Sequence, residues 1–339
     1  MKRLNRFFTL FLCFSMLLCL LSCEETKENK TADTTAPQAE ETTTEEETTS
    51  MPTVTKKEGH YRIIITSDVH YTYLETWYGK SAEDRMQHWV DNILAEHKKN
   101  PIDLLIIAGD TSLDHWGTAG SYVNDRVSTT EAFVKNYVSQ IPDEIPVLIG
   151  AGNHEQFNDA QWKKMTGNSR QASAVVGNNL FVLLDTFSKD LEPNYKGNPE
   201  DCPADVAFIK EEMAKHPECT NVYLVAHYFH TGKQTEEFKT LVKDSRIKGL
   251  FQGHTHQSTV ITLSAEFGSK KIAQTGNFSY TGSTDSAQSV KESFWGFREL
   301  LITPESSISN YIVVATNITI DGKEIADLKR TLTNRVRFY

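Results

Sequence analysis

Between residues 61 and 256, short runs of consecutive apolar residues alternate with longer segments whose apolar positions recur every three or four residues. The first kind reads as buried strand and the second as amphipathic helix, together an α/β pattern. Strands are predicted over 62–66, 102–108, 147–150, 180–184, 222–226 and 249–252. The clearest helix is predicted over 81–97, where Ala82, Met86, Trp89, Val90, Ile93 and Leu94 share one face. Ser81 with Asp84 matches a capping-box start, and Ser128 with Glu131 repeats it ahead of a helix to residue 140. A further helix is predicted over 203–215. Beyond His256 the helical period stops, and 260–263, 271–275, 294–302 and 312–320 read as strands. No internal repeat is visible, so residues 59–339 are predicted to form one domain.

The N-terminus breaks this pattern. Lys2, Arg3 and Arg6 precede a mostly apolar run over 7–21, shorter than the roughly 20 residues of a spanning helix. The run closes on Leu20-Leu21-Ser22-Cys23, which resembles the lipobox of bacterial lipoprotein signal peptides. The resemblance implies that residues 1–22 are removed and that a lipidated Cys23 anchors the chain to a membrane outside the cytoplasm. Several acyl chains on one Cys would make that anchor stable. Residues 24–58 are dominated by Thr, Glu, Lys and Pro, with Met51 and Val54 the only large apolar side chains. Such a stretch buries too little surface to offset its ordering entropy, so 23–58 is expected to be a disordered stalk.

Charge narrows the partners. The net charge is −10; with +3 before Cys23 and −6 in the stalk, the remaining chain carries −7 and no basic tract. Nucleic acid is therefore disfavoured as a main partner, because backbone phosphates need a dense Lys/Arg surface. Cys202 and Cys219 flank the predicted helix at 203–215, whose length would hold them too far apart to pair, so free thiols are expected.

The residues that follow the strands carry the chemistry. In order these are Asp68-Val69-His70, Gly109-Asp110, Gly152-Asn153-His154-Glu155, His227, and Gly253-His254-Thr255-His256. In open α/β sheets ligands bind beyond the carboxyl ends of strands, so five polar motifs at five such ends converge on one edge. Carboxylate, imidazole and amide oxygen suit a divalent transition metal, and the absence of thiolates argues against a structural zinc knot. Asp68, His70, Asp110, Asn153, His227, His254 and His256 are too many ligands for one ion. Two ions sharing a carboxylate account for them. Neither a Gly-x-Ser-x-Gly elbow nor a complete dinucleotide-binding glycine loop is present.

Taken in order, D-x-H, G-D, G-N-H-E, H and G-H-x-H resemble the calcineurin-like metallophosphoesterase superfamily over residues 61–256. The resemblance implies a two-sheet β-sandwich flanked by helices, with a dinuclear metal site at the strand carboxyl ends. It places Asp68, His70 and His256 on one metal, Asn153, His227 and His254 on the other, and Asp110 between them. His154 would face the substrate phosphate and the leaving oxygen without binding metal, while a bridging hydroxide attacks phosphorus. The cofactors implied are two divalent ions (Mn, Fe or Zn), and the substrate a small phosphate mono- or diester. A surface-anchored binding module using structural metals is the alternative.

Departures from the family pattern bear on individual residues. Leu113 stands where the purple acid phosphatases have a metal-binding Tyr, which argues against a tyrosinate-ligated iron. The His227 segment reads His-Tyr-Phe-His, so His230 competes with His227 for that position. Glu155 is expected to support the ligands rather than join them. Asp114, His115 and Trp116 are candidates to line the pocket, Asp185 reads as a turn cap, and His60, His88, His97 and His216 as solvated.

Overall fold

Strands that are apolar along their whole length need cover on both faces, and the fold provides it. A computed structural model describes residues 58–73, 77, 80–114, 129–188, 191, 200–279, 295–314, 319–320, 323–324 and 335–339. The signal segment, the stalk, Cys23, His115, Trp116 and Ser128 lie outside these.

The described strands are β1 (Tyr61–Thr66), β2 (Leu104–Ala108), β3 (Val147–Gly150), β4 (Ala172–Val176), β5 (Asn179–Leu184), β6 (Asn221–Ala226) and β7 (Ile247–Gln252). They continue with β8 (Val260–Thr262), β9 (Lys271–Gln274), β10 (Gly296–Thr303), β11 (Ser306–Val313), β12 (Thr319–Ile320), β13 (Lys323–Glu324) and β14 (Val336–Arg337). One six-stranded sheet has the order β14-β11-β10-β1-β2-β3, and the other β4-β5-β6-β7-β9-β8. β1, β2 and β3 run parallel, as do β5, β6, β7 and β9, with antiparallel strands at the margins. β12 and β13 form a separate hairpin.

Alternate residues of each strand serve different layers. Ile63, Ile65, Leu104 and Ile106 pack against Phe181, Leu183, Tyr223, Val225 and Phe251 of the other sheet. On the outer face of the first sheet, Ile64, Leu105 and Ile107 meet Met86, Trp89, Phe133 and Trp162. These come from α1 (Ala82–Lys99), α2 (Thr129–Asn136) and α3 (Asp159–Thr166). On the second sheet, Leu180, Val182 and Leu224 meet Ile209, Met213 and Phe238 from α4 (Val206–Lys215) and α5 (Glu236–Leu241). The result is a two-sheet sandwich between helices, as the family resemblance implies.

Several boundaries move. The Ser81 side chain accepts from the Asp84 N–H and α1 runs on to Lys99. α2 stops at Asn136 and tightens into a 3-10 turn at Val138–Gln140, ahead of Pro142. Its N-terminus is capped by a distant residue: the buried Asp114 carboxylate accepts from the N–H and hydroxyl of both Thr129 and Thr130 at 2.6–3.0 Å. Asp114 is thus a helix cap. α4 starts at Val206 rather than 203, with Asp205 as its cap. Cys202 and Cys219 at its two ends are free. β11 begins at Ser306 and ends at Val313, not 312–320. The short helices α3 and α5, the edge strand β4 and the two-residue strands were not anticipated. No helix among the described residues is long and apolar enough to cross a membrane.

Candidate metal centre

Five loops leave the carboxyl ends of β1, β2, β3, β6 and β7, and each carries one of the five motifs. Three come from one sheet and two from the other, so the cluster lies across the edge of the sandwich. Parallel pairing persists past the strand ends: Asp68 N–H donates to Gly109 O and His70 N–H to Asp110 O, both at 3.1 Å. There the backbone turns sharply. Asp68 (φ 53°), His70 (44°), Asp110 (51°), His254 (68°) and His256 (58°) all occupy the left-handed region. For non-glycine residues that region costs roughly 1–2 kcal/mol each, and such strain concentrates at functional sites. Gly109 needs its missing side chain twice over. Its φ is +88°, and an added Cβ would lie 2.8 Å from both His227 Nδ1 and Gly152 N.

The seven residues singled out in the sequence come together. His70 Nε2 lies 3.1 Å from His256 Nε2, and Asp68 Oδ1 lies 3.8 Å from the first and 3.5 Å from the second. On the other side, Asn153 Oδ1 is 3.1 Å from His227 Nε2 and 2.9 Å from His254 Nδ1, and these two nitrogens are 3.3 Å apart. Asp110 Oδ2 joins the groups, 3.7 Å from His70 Nε2 and 3.0 Å from His227 Nε2. Donor atoms about 2.1 Å from one shared ion lie about 3.0–3.5 Å from one another. The second trio, at 2.9–3.3 Å, is close to that spacing, and the first is wider by a few tenths of an ångström only between Asp68 and His70. The donor chemistry fits divalent cations. Asp68, His70 and His256 could hold one, and Asp110, His227 and His254 another.

His154 sits against the shared carboxylate. Its N–H donates to Asp110 Oδ1 at 3.2 Å, its Nε2 lies 3.8 Å from Asp110 Oδ2, and its ring meets His70 edge-on. His70, Asp110 and His154 could themselves hold an ion. Between the two candidates on the β6 loop, the structure brings in His227. Its Nδ1 lies 2.9 Å from Ala108 O, whereas His230 is directed to Asp201 at 3.0 Å with 42 % of its side chain exposed. Leu113 is buried and offers no ligand atom.

Burial and mutual charge set the protonation of the cluster. Burial pushes the Asp110 carboxyl up, but His227, His154 and His70 outweigh it and hold the group well below the usual range. Burial lowers His227, yet Asp110 and Asp68 lift it to about 9. Burial holds His70 well below its ordinary value and takes His254 down to about 4, the second aided by His227. Burial also raises Asp68, with His227 and His256 opposing. The metal-free cluster therefore pairs one anionic Asp110 with one protonated His227, leaving two unprotonated imidazoles ready to ligate.

A surrounding set of side chains holds the loops. The Glu155 carboxylate accepts from the N–H groups of Asp110 (3.0 Å), Gly152 (2.7 Å) and Ser112 (3.0 Å), and from the hydroxyls of Thr111 (3.1 Å) and Ser112 (3.3 Å). It ties the β2 loop to the β3 loop. Burial and the Asp110 charge push its pKa to about 7, against the pull of the Gly152 and Ser112 N–H groups. Arg85, buried on α1, donates to Val69 O (3.0 Å), His70 O (3.3 Å) and Phe278 O (2.6 Å). Arg170 donates to Glu155 O and Phe157 O and is itself gripped by both oxygens of Asp185. Asp185 also accepts from Phe187 N–H, so it caps its turn and fixes an arginine. His97 likewise accepts from Ile102 N–H, so it is not simply solvated. Ser67 donates to Asp68 Oδ2. The supporting role of Glu155 and the turn cap of Asp185 are as the sequence suggests; the roles of Arg85, Arg170, His97 and Ser67 have no local sequence signature.

The comparisons with known proteins fit this geometry. The family model described as calcineurin-like phosphoesterase matches residues 61–258, more than half of the chain. Among solved structures, a dimetal phosphatase from Danio rerio aligns with a TM-score of 0.53 at 10 % identity, covering 82 % of this chain and 98 % of that one. At that identity the likeness bears on the fold alone. GAP50, described as the anchor in the inner membrane complex of Plasmodium, aligns with a TM-score of 0.45 at 12 % identity, covering 80 % of this chain and 94 % of that one. No curated protein matches the chain.

Proposed function

Because the chain belongs to the calcineurin-like phosphoesterase family, whose members hydrolyse phosphoric esters with two metals, we propose that its cluster holds two divalent cations. Metal-dependent hydrolysis of a phosphoric ester is its activity; what is inferred is which residues carry it. In this reading Asp68, His70 and His256 would hold one cation and Asn153, His227 and His254 the second, with Asp110 placed to serve either. The carrying observation is the position of Asp110 Oδ2, 3.7 Å from an imidazole of the first trio and 3.0 Å from one of the second.

When bound, such cations supply Lewis-acid charge to the phosphoryl oxygens and to the attacking water. The chain contributes the rest. Asp68, His70, Asp110, Asn153 and His227 are almost fully buried, so charge developing on phosphorus is felt in a site with little competing solvent. With both trios complete, His154 is left to the substrate. Its Nε2 donates to a phosphoryl oxygen and passes its proton to the leaving oxygen as the P–O bond breaks. Water's oxygen replaces that group on phosphorus, giving an alcohol and phosphate, or a monoester from a diester. The N/O donor set suits Mn, Fe or Zn.

Location rests on residues 1–23 alone. Their basic start, apolar run and Leu20-Leu21-Ser22-Cys23 ending support export and a lipid anchor on Cys23, with a small phosphorylated substrate met outside the cytoplasm. Cys23→Ala should then release the protein from the membrane fraction. The activity test is direct. Chelator-treated protein should lose hydrolysis of 4-nitrophenyl phosphate or its bis-ester, and Mn²⁺ or Zn²⁺ should restore it. Hydrolysis that survives chelation, with metal shown to be gone, would refute the metal assignment.

A further inference from the structure

The cluster is closed on most sides. Of its residues, Asp68, His70, Asp110, Asn153, His154, His227 and His256 are buried, and only His254 is partly exposed. Solvent, and hence substrate, meets the cluster past His254. Two further rings stand on that side. The Tyr228 ring lies 4.6 Å from the His254 ring, and the His230 ring lies 5.8 Å from Tyr228 and stacked on it within 28°. Both are partly exposed. Phe187, buried behind them, contacts His254 at 5.8 Å and His227 at 5.7 Å. From His254, the Tyr228 and His230 rings thus follow one another in a series of two beyond the second trio.

The outer ring is held in place. His230 Nδ1 lies 3.0 Å from Asp201 Oδ2, and Lys233 Nζ holds the same carboxylate at 3.0 Å. With Nδ1 engaged, Nε2 is the nitrogen left for a ligand, and the bare Gly232 beside it keeps any side chain out of the 3.7 Å contact an added Cβ would make with it. Partly exposed rings beside a reaction centre offer a flat face for something planar to pack on. Base–aromatic stacking is tolerant of which ring arrives, because every aromatic ring presents a π face.

We infer that Tyr228 and His230 form a subsite for a planar aromatic leaving group, an aryl or nucleobase ring, carried by the phosphate ester. The inference rests on the phosphoesterase reading and adds the class of substrate. A phosphate seated at the cluster projects its leaving group through the accessible side, where Tyr228 meets it first and His230 Nε2 can accept from or donate to a polar ring edge. Tyr228 does not touch the reacting atoms, so its contribution is to binding. An alkyl leaving group gains nothing there.

The test compares non-hydrolysable ligands, so that it does not depend on turnover. Calorimetric affinities of phenylphosphonate and methylphosphonate are measured on the Mn²⁺- or Zn²⁺-loaded full chain. The wild type should bind the phenyl compound about tenfold tighter, the lower part of the range for one stacked ring. Tyr228→Leu, which keeps apolar bulk but loses the ring, should collapse that ratio towards one, and Tyr228→Phe should preserve it. Tyr228→Ala gives the same comparison if the leucine variant does not fold. A wild-type ratio near one, or a ratio that survives in the leucine and alanine variants, overturns the inference. Hydrolysis of 4-nitrophenyl phosphate by the same preparation reports separately on the reaction: ring preference without hydrolysis keeps the subsite and removes the phosphoesterase reading, and hydrolysis without preference does the reverse.

Discussion

Replacing Glu155 by Gln should destabilise the protein by about 1–3 kcal/mol although Glu155 belongs to neither metal trio, and the structure says why. One carboxylate oxygen takes two backbone N–H groups, from Asp110 and Gly152, and the other takes Ser112 N–H with the hydroxyls of Thr111 and Ser112. Glutamine keeps one acceptor and presents a donor at the other end. The amide does best with its NH₂ towards the hydroxyls, which can turn and accept. That leaves Ser112 N–H facing a donor, a buried stranded group worth about 1–3 kcal/mol. The bonds from Asp110 and Gly152 lose charge assistance, but the buried charge that lies beside Asp110 and lifts the Glu155 pKa to about 7 is removed as well, so the stranded donor sets the magnitude. Against a total stability of about 5–15 kcal/mol for a typical domain, this is a large fraction. Urea unfolding of chelator-treated wild type and variant, at equal slope, reads the difference directly. A change below about 1 kcal/mol would falsify the view that Glu155 ties the two loops together.

Three further outcomes follow from the same geometry. His154→Ala should lower kcat about 10²–10⁴-fold, the usual range for a lost general acid, while metal content by elemental analysis stays at the wild-type value; lost metal would instead make His154 a ligand. In the metal-free chain Asp110 holds the His227 imidazole up at about 9, above the unperturbed 6.5. Stability from that proton is complete below pH 6.5 and lost as pH rises through about 9. A cation needs the unprotonated nitrogen, so its apparent affinity should rise about tenfold per pH unit across that window, measured by chelator competition; a flat profile contradicts it. Arg85→Met withdraws the donor from three backbone carbonyls and should weaken binding of one of the two cations before the other. Two cations bound with unchanged affinity, alongside a lower melting temperature, would make Arg85 merely structural.

What could be read from the chain divides along a physical line. Four of the five motifs sit directly after strands whose apolar runs are plain, because both faces of β1, β2, β6 and β7 are covered; β3, which precedes the remaining motif, is short and buried only at Ile149 and Gly150. β11 was misplaced for the opposite reason. Its inward positions include Ser307 and Ser309, and Ser307 accepts a 2.6 Å hydrogen bond from Tyr223 on the facing sheet. A strand whose buried face carries hydroxyls shows no alternation of apolar and polar residues. α3 buries only Trp162, so its period is too weak to see, although Asn158 and Gln161 form a full capping box. His227 is favoured over His230 already by standing directly at the strand end, and the crossing of two sheets, which brings it within 3.0 Å of Asp110, supplies the physical reason.

The same division explains the site itself. Ligands announce themselves by residue type after a strand, but what keeps them in place does not. Asp68, His70 and His256, the whole first trio, stand on left-handed backbone, whereas in the second trio only His254 does. The first trio is therefore the strained one, and its anchors lie far off in the chain: Arg85 on the carbonyls of Val69 and His70, Phe278 N–H on Asp68 O, and His254 N–H on the Asp68 carboxylate. The second leans on Glu155 and on Arg170, fixed in turn by Asp185. The two sets of anchors meet at His254, whose N–H holds Asp68, and at Asp110. Damage to Arg85 or to Arg170 should therefore reach one trio first and spread to the other through these two residues.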